Sequence, residues 1–170
     1  MSMYAASVPQ MKKMLQNLDK WIEAAVANAK SRGFDPNNLV QARLAPDQYP
    51  FARQVQSSCD TAKFAAARLT GKEAPKHPDT ETTIEELHAR IRTVVAYLDT
   101  FSEKDFAGAS ERHVELPWAQ GKWVPGNEYL NELQLPNFYF HVTTAYAILR
   151  HNGVPLGKTD YIGNVNLRDK

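Results

Sequence analysis

At 170 residues the chain is long enough to bury its own core, and one domain over residues 1–170 is expected. Lys and Arg number 20 against 19 Asp and Glu, and this formal net charge of +1 removes the electrostatic case for a nucleic-acid or anionic-membrane partner. The single cysteine, Cys59, excludes an intrachain disulfide and fits a reducing, cytoplasmic compartment.

The first ten residues lack the basic and apolar regions of a signal peptide. No stretch approaches the ~18–20 apolar residues of a membrane span. A long amphipathic helix is predicted over about Ser7 to Ser31, because Val8, Met11, Met14, Leu15, Leu18, Trp21, Ile22 and Ala25 recur at spacings of three and four. Ser7 suits its N-cap, Pro9 its first turn and Gly33 its stop. Residues 34–50 read as irregular, with turn chemistry at Asp35-Pro36-Asn37-Asn38 and helix breaks at Pro46 and Pro50. There Arg43, Asp47 and Tyr49 make either a buried ion pair stapling the loop or the rim of a pocket.

A second helix is predicted from Phe51 to Thr70, stopped by Gly71, with Phe51, Val55, Cys59, Ala62, Ala66 and Leu69 inward. Its polar residues Gln54, Gln56 and Asp60 point at a cavity or form a solvated face. The loop to Asp79 carries Pro75, Pro78 and a solvent-exposed His77. Thr82 and Glu85 have capping-box spacing at the head of a third helix over about Thr83 to Phe101. Its stripe is Ile84, Leu87, Ile91, Val94 and Leu98, with His88 beside it and Glu85, Glu86, Arg90 and Arg92 on the solvated face.

The helical signal then lapses. Residues 113–124 alternate apolar and polar around a glycine and read as a short β-ribbon or an ordered loop. Trp118 and Trp123 cover one end of the helices, line a pocket, or face a partner. After a short helical turn near Glu128 to Leu133 comes a helix from Leu135 to Gly153, with Pro136 in its first turn and Gly153 past its last. It is apolar on more than one side, which marks a central helix, and it carries His141. The segment 153–163 is too rich in Gly and Pro to continue it, and residues 164–170 are expected to fray. Gly157-Lys158-Thr159 does not complete a phosphate-binding loop, since Asn152 stands where the first glycine is required. The sum is four principal helices with one long insert between the third and fourth, for which a helical bundle is the simplest arrangement.

Two blocks stand out together. One is Ala42 to Gln56 followed by Cys59-Asp60; the other is Leu135 to Arg150 followed by Gly153-Val-Pro-Leu-Gly-Lys158. They resemble a bacterial domain-of-unknown-function family within the DinB/YfiT-like metalloenzyme superfamily, over nearly the whole chain. That resemblance implies an all-α, up-and-down four-helix bundle, often a homodimer. It also implies, for some members, thiol-dependent transferases and isomerases that use a divalent metal held by three histidines. One of these comes from the second helix and two from the fourth, in H-x-x-x-H spacing.

This sequence departs from that pattern. The second helix has no histidine, and Ala145 stands four residues after His141. His151 lies ten residues on, rotated roughly 80° and displaced ~15 Å along a regular helix, so it cannot share an ion with His141. Two readings follow. In one, the chain is a degenerate member, a homodimeric small-ligand-binding or structural protein. His141 is then a core histidine held by Asp60, Gln56 or a backbone carbonyl, and Gln56, Asp60, Arg43 and Tyr139 are candidate ligand-binding residues. In the other, it is an enzyme with His141 as general acid, base or metal ligand, oriented by Asp60, with Gln56 on the substrate. A divalent metal, if held, takes His141 with Asp60, and Gln56 as a third donor. Cys59 as a nucleophile is a third reading.

Overall fold

The computed structural model describes residues 2–168, so residues 169 and 170 of the expected frayed tail lie outside it. Four long helical stretches carry the core, joined to a small two-stranded antiparallel sheet. Helix α1 spans Met3–Arg32, α2 Phe51–Thr70 and α3 Ile84–Leu98. Strands β1 (His113–Glu115) and β2 (Trp123–Pro125) follow. The last long stretch joins α4 (Gly126–Glu128), a π-helical turn (Tyr129–Gln134) and α5 (Leu135–His151), and a short α6 (Lys158–Ile162) closes the described chain. Helix α2 packs on α5 and α3, and α1 packs on α3 and α5. Among the described residues no helix is long and apolar enough to cross a membrane.

Helix α1 starts earlier than its apolar stripe predicts. Ser2, not Ser7, is the N-cap, accepting from the Ala5 N–H at 3.2 Å. Ser7 is buried one turn inside, where its hydroxyl donates to the Met3 carbonyl at 2.6 Å. Pro9 therefore lies inside the helix and leaves the Ala5 carbonyl without its usual donor, a tolerable loss this close to the end. The buried side chains Met11, Met14, Leu15, Leu18, Trp21, Ile22 and Ala25 are those the periodicity picks out. Helix α2 has the predicted limits, and its stop, Gly71, takes the left-handed conformation at φ 69° that a side chain would resist.

The capping box of α3 is one residue later than expected. Thr83 accepts from the Glu86 N–H at 3.2 Å, while Glu86 Oε2 accepts from the N–H groups of Thr83 and Thr82. Both frames have the right spacing; the one that forms buries Ile84 and Leu87. The predicted ribbon forms, with Val114 opposite Val124 and His113 opposite Pro125. Trp118 and Trp123 are exposed rather than folded over the helices, and Trp123 stacks on the His113 ring.

Pro136 lies in the first turn of α5, as its sequence context suggests, but α5 continues directly from a π-helical turn. That turn is widened, with the Leu135 N–H reaching back five residues to the Leu130 carbonyl. A proline ring crowds the carbonyl four residues back, and a π turn gives that group room. Gly126, at the start of this stretch, lies so close to the Ala109 carbonyl that a Cβ would come within 1.9 Å of the oxygen. After Gly153 the chain returns to α1, where Tyr161 stacks on Trp21 and the indole N–H donates to the Asp160 carbonyl at 3.0 Å. The short α6 that makes these contacts is not apparent in the Gly- and Pro-rich sequence.

Candidate functional site

His141 projects from α5 toward α2, on the same side as Phe138, Val142 and Ala145, which are fully buried. His141 is 8 % exposed. Its Nδ1 lies 2.8 Å from Gln54 Oε1, and Gln54 Nε2 lies 3.1 Å from the Tyr49 carbonyl. A carbonyl can only accept, which fixes the amide orientation, so Nδ1 carries a proton and donates to Oε1. Burial, aided by the Arg53 charge, pushes the imidazole below the usual histidine range. The ring is therefore neutral at pH 7, and Nε2 carries a lone pair.

A recess of about 200 Å³ opens beside His141. Arg53, Ser57, Thr61 and Asn137 contribute to its wall, with Arg68 and Phe64 at one end. Asn137, one turn before His141, donates to Thr61 Oγ1 at 2.8 Å, and that hydroxyl donates to the Ser57 carbonyl at 2.7 Å. Arg68 donates to the Tyr129 hydroxyl at 3.2 Å. The wall is polar and preorganised by α2–α5 packing.

A second buried polar centre, around Arg90, adjoins the recess and shares Asp60 and Arg53 with it. This arginine was expected on a solvated face, yet its side chain is 2 % exposed. One amino group donates to Asp60 Oδ1 at 2.7 Å and Asp79 at 3.2 Å, the other to Glu81 at 2.9 Å and the Pro78 carbonyl at 3.2 Å. Its Nε has no partner among the described residues. Lys63, equally buried, donates to Asp60 at 2.7 Å and approaches His77 Nδ1 at 3.4 Å. His77 is consequently half-buried, not solvent-exposed, and burial and Lys63 together lower its basicity. Carboxylates facing a charge they can reach repay part of their desolvation, which holds the 72–83 loop against α2 and α3.

The candidate residues thus divide. His141 borders a recess, and Gln54 holds it in place of Asp60 or Gln56. Asp60 reaches the edge of the recess while its oxygen is committed to Arg90 and Lys63. Gln56 belongs to the Arg90 centre, donating to Glu81 at 2.9 Å. Arg43 is exposed and donates to the Gln48 carbonyl at 2.6 Å, so the buried pairing with Asp47 does not form. Tyr139 packs edge-on against Phe138 and is not part of the recess wall. Cys59 is fully buried and its thiol is pushed up to about 12 by burial, which leaves no thiolate for nucleophilic attack at pH 7. The helical spacing of Asn137 to His141 could have nominated Asn137; Arg53, Arg68 and Thr61 carried no comparable signal.

The three-histidine metal implied by the superfamily does not fit these residues. Ala145 is an apolar core residue where a second imidazole is needed. Asp60 is neutralised by two cations that would repel a third, and Nδ1 of His141 is occupied. Among the described residues no group of three or more His, Cys, Asp or Glu side chains is placed to hold a metal ion.

Comparison with known proteins agrees with the fold. A crystal structure described as a DinB family member protein from Shewanella denitrificans, at 1.83 Å resolution, superposes with a TM-score of 0.95 at 48% sequence identity. The match covers 98% of this chain and 95% of that one. No curated protein matches the chain. A family described as a domain of unknown function, DUF1993, matches residues 3–162. The chain therefore belongs to the DUF1993 family, within the DinB-like superfamily.

Proposed function

We propose that this protein is a single-domain, up-and-down four-helix bundle that lacks the three-histidine metal site and binds a small polar molecule in the recess at His141. The observation that carries the reading is the state of the histidine. Its Nδ1 is fixed by Gln54, and its Nε2 has no partner among the described residues while the ring lines a recess. One nitrogen is held and the other is left to meet a ligand or water. Arg53, Arg68 and Asn137 supply donors, so the ligand presents acceptors to the wall and a donor to Nε2. The bundle assignment draws support from the packing of α1 and α2, each against both α3 and α5. The homodimer implied by the resemblance belongs to this proposal; a monomer mass that does not change with concentration removes it.

The test is a thermal-shift screen of small polar compounds on the parent and His141→Gln, run with chelator and with added Zn²⁺, Ni²⁺ and Mn²⁺. The expected result is a melt indifferent to chelator and metals, and ligand shifts lost in the variant. A Zn²⁺-dependent rise in the parent, absent from the variant, would overturn the metal-free part.

A second reading has one observation in its favour. A neutral imidazole with an available Nε2 can take a proton from a bound substrate at pH 7. Turnover in a panel of thiol-dependent reactions, abolished by His141→Gln, would establish it; a panel without turnover leaves binding alone.

A further inference from the structure

On the far side of Phe64 from His141 lies a larger cavity, of about 420 Å³, between α2 and the 72–77 loop. We propose that it binds a small molecule bearing a phosphate monoester on an apolar, aromatic-sized group. Four cationic side chains line it: Lys63, Arg68, Lys72 and Lys76. Its one carboxylate, Asp60, is already taken up by Arg90 and Lys63 at 2.7 Å each. Lys72 is answered by Asp105 at 2.6 Å. Lys76 has no side-chain partner among the described residues, and Arg68 meets only the neutral Tyr129 hydroxyl.

The charge count extends to the cluster behind the wall. There Arg90 and Arg53 face Asp79 and Glu81. Taken together, the wall and this cluster leave two positive charges unanswered, those of Arg68 and Lys76. Glu73, on the same loop, is exposed and is not part of the lining. His77 adds no charge, since it accepts from Lys63 and is held neutral. A ligand with two negative charges on one compact group meets this excess, which a monocarboxylate does only in part.

The rest of the wall fixes the other half of the ligand. Phe64, Ala67, Ala74 and Pro75 make an apolar side. The Phe64 ring already has Lys63 at 4.6 Å and Arg68 at 4.7 Å from its centroid, so a cationic rim borders the aromatic face. The volume falls in the range of small-molecule sites, which run from about 300 to 1,000 Å³. This pocket and the His141 recess share the ridge Asp60, Phe64 and Arg68, and are otherwise lined by different residues.

The test is isothermal titration at low salt with phenyl phosphate, inorganic phosphate and benzoate. The proteins are the parent, the double variant Lys72→Gln/Lys76→Gln, His141→Gln, and Lys122→Gln on the β-ribbon turn as a remote control. Lys72 and Lys76 are exposed and line only this cavity, so the double variant is expected to melt like the parent. Phenyl phosphate is expected to bind more tightly than either inorganic phosphate or benzoate, and more weakly as salt is raised. The double variant is expected to lose about tenfold in affinity or more, with Lys122→Gln unchanged. Benzoate binding as tightly as phenyl phosphate, no phenyl phosphate binding by the parent, or equal binding by the double variant would each overturn the proposal. A loss confined to His141→Gln would move the ligand to the other recess and overturn it too.

Discussion

Helix α2 contributes to two buried polar centres that handle the same physical problem differently. Around Arg90, charge is buried against charge: three carboxylates and the Pro78 carbonyl engage its two amino groups, while Nε has no partner among the described residues. Around His141, the buried group is neutral, held on one side by an amide and open to a recess on the other. The first arrangement spends its donors on holding a loop. The second keeps one acceptor in reserve. In a helical protein with little else to mark a site, an unpaired acceptor that opens on a recess separates a binding centre from a brace more clearly than burial or charge does.

The comparison can be broken most directly at Arg90. Arg90→Met is expected to cost about 3–5 kcal/mol in urea unfolding, because Asp60, Asp79 and Glu81 lose their shared cation. A variant as stable as the parent would mean that the cluster does not brace the loop. Gln54→Leu should cost less, about 1–3 kcal/mol, by orphaning the His141 Nδ1–H. It should also release the tautomer, so that ¹⁵N chemical shifts of the ring report a mixture in place of one Nδ1-protonated form.

Acid sharpens the same contrast with a smaller effect. His141 and His77 both have folded-state basicity below the ordinary value of 6.5. The unfolded chain therefore binds protons first as pH falls, and their contribution to stability is complete above about pH 6.5 and is lost as pH drops toward the folded values. Unfolding free energies between pH 8 and pH 5 should decline, and His141→Gln should flatten part of that decline. A slope unchanged by the substitution would exclude His141 as one of its sources. The smallest effect concerns Cys59, whose thiol is buried and pushed up to about 12. Native protein is expected to resist thiol reagents and to react only as fast as it unfolds; prompt labelling of one equivalent would contradict that burial.

Much of this fold is legible in the sequence because apolar spacing and helix stops act locally. The limits of α2, the β-ribbon and the stop at Gly33 follow from residues a few positions apart. His141 stands out for the same reason, as one titratable ring on a helix apolar on several sides. The Arg90 centre is less accessible, since its partners Asp60, Asp79 and Glu81 are scattered over α2 and a loop. A signal did exist: Arg90 lies three residues after Leu87 and four before Val94, on the core stripe itself. Lys63 likewise falls four residues after Cys59 and three before Ala66. A cation on a buried stripe implies carboxylates brought to it from distant parts of the chain. Asp60, Gln56 and Gln54 lie within two turns of one helix, and sequence alone does not rank one above another as the partner of His141.

The wide turn before Pro136 bears on how this protein tolerates changes of length. A π turn holds one residue more than the α-helical turn it replaces, so it absorbs an insertion without rotating the helix on either side. Elsewhere in α5, loss of a single residue would swing His141 by about 100° and carry it out of the recess. Within Tyr129–Gln134, combined with Pro136→Ala to relieve the ring, the same deletion should restore a regular helix with His141 still facing Gln54. The ¹⁵N tautomer signature of His141 distinguishes the two deletions: retained in the second and lost in the first.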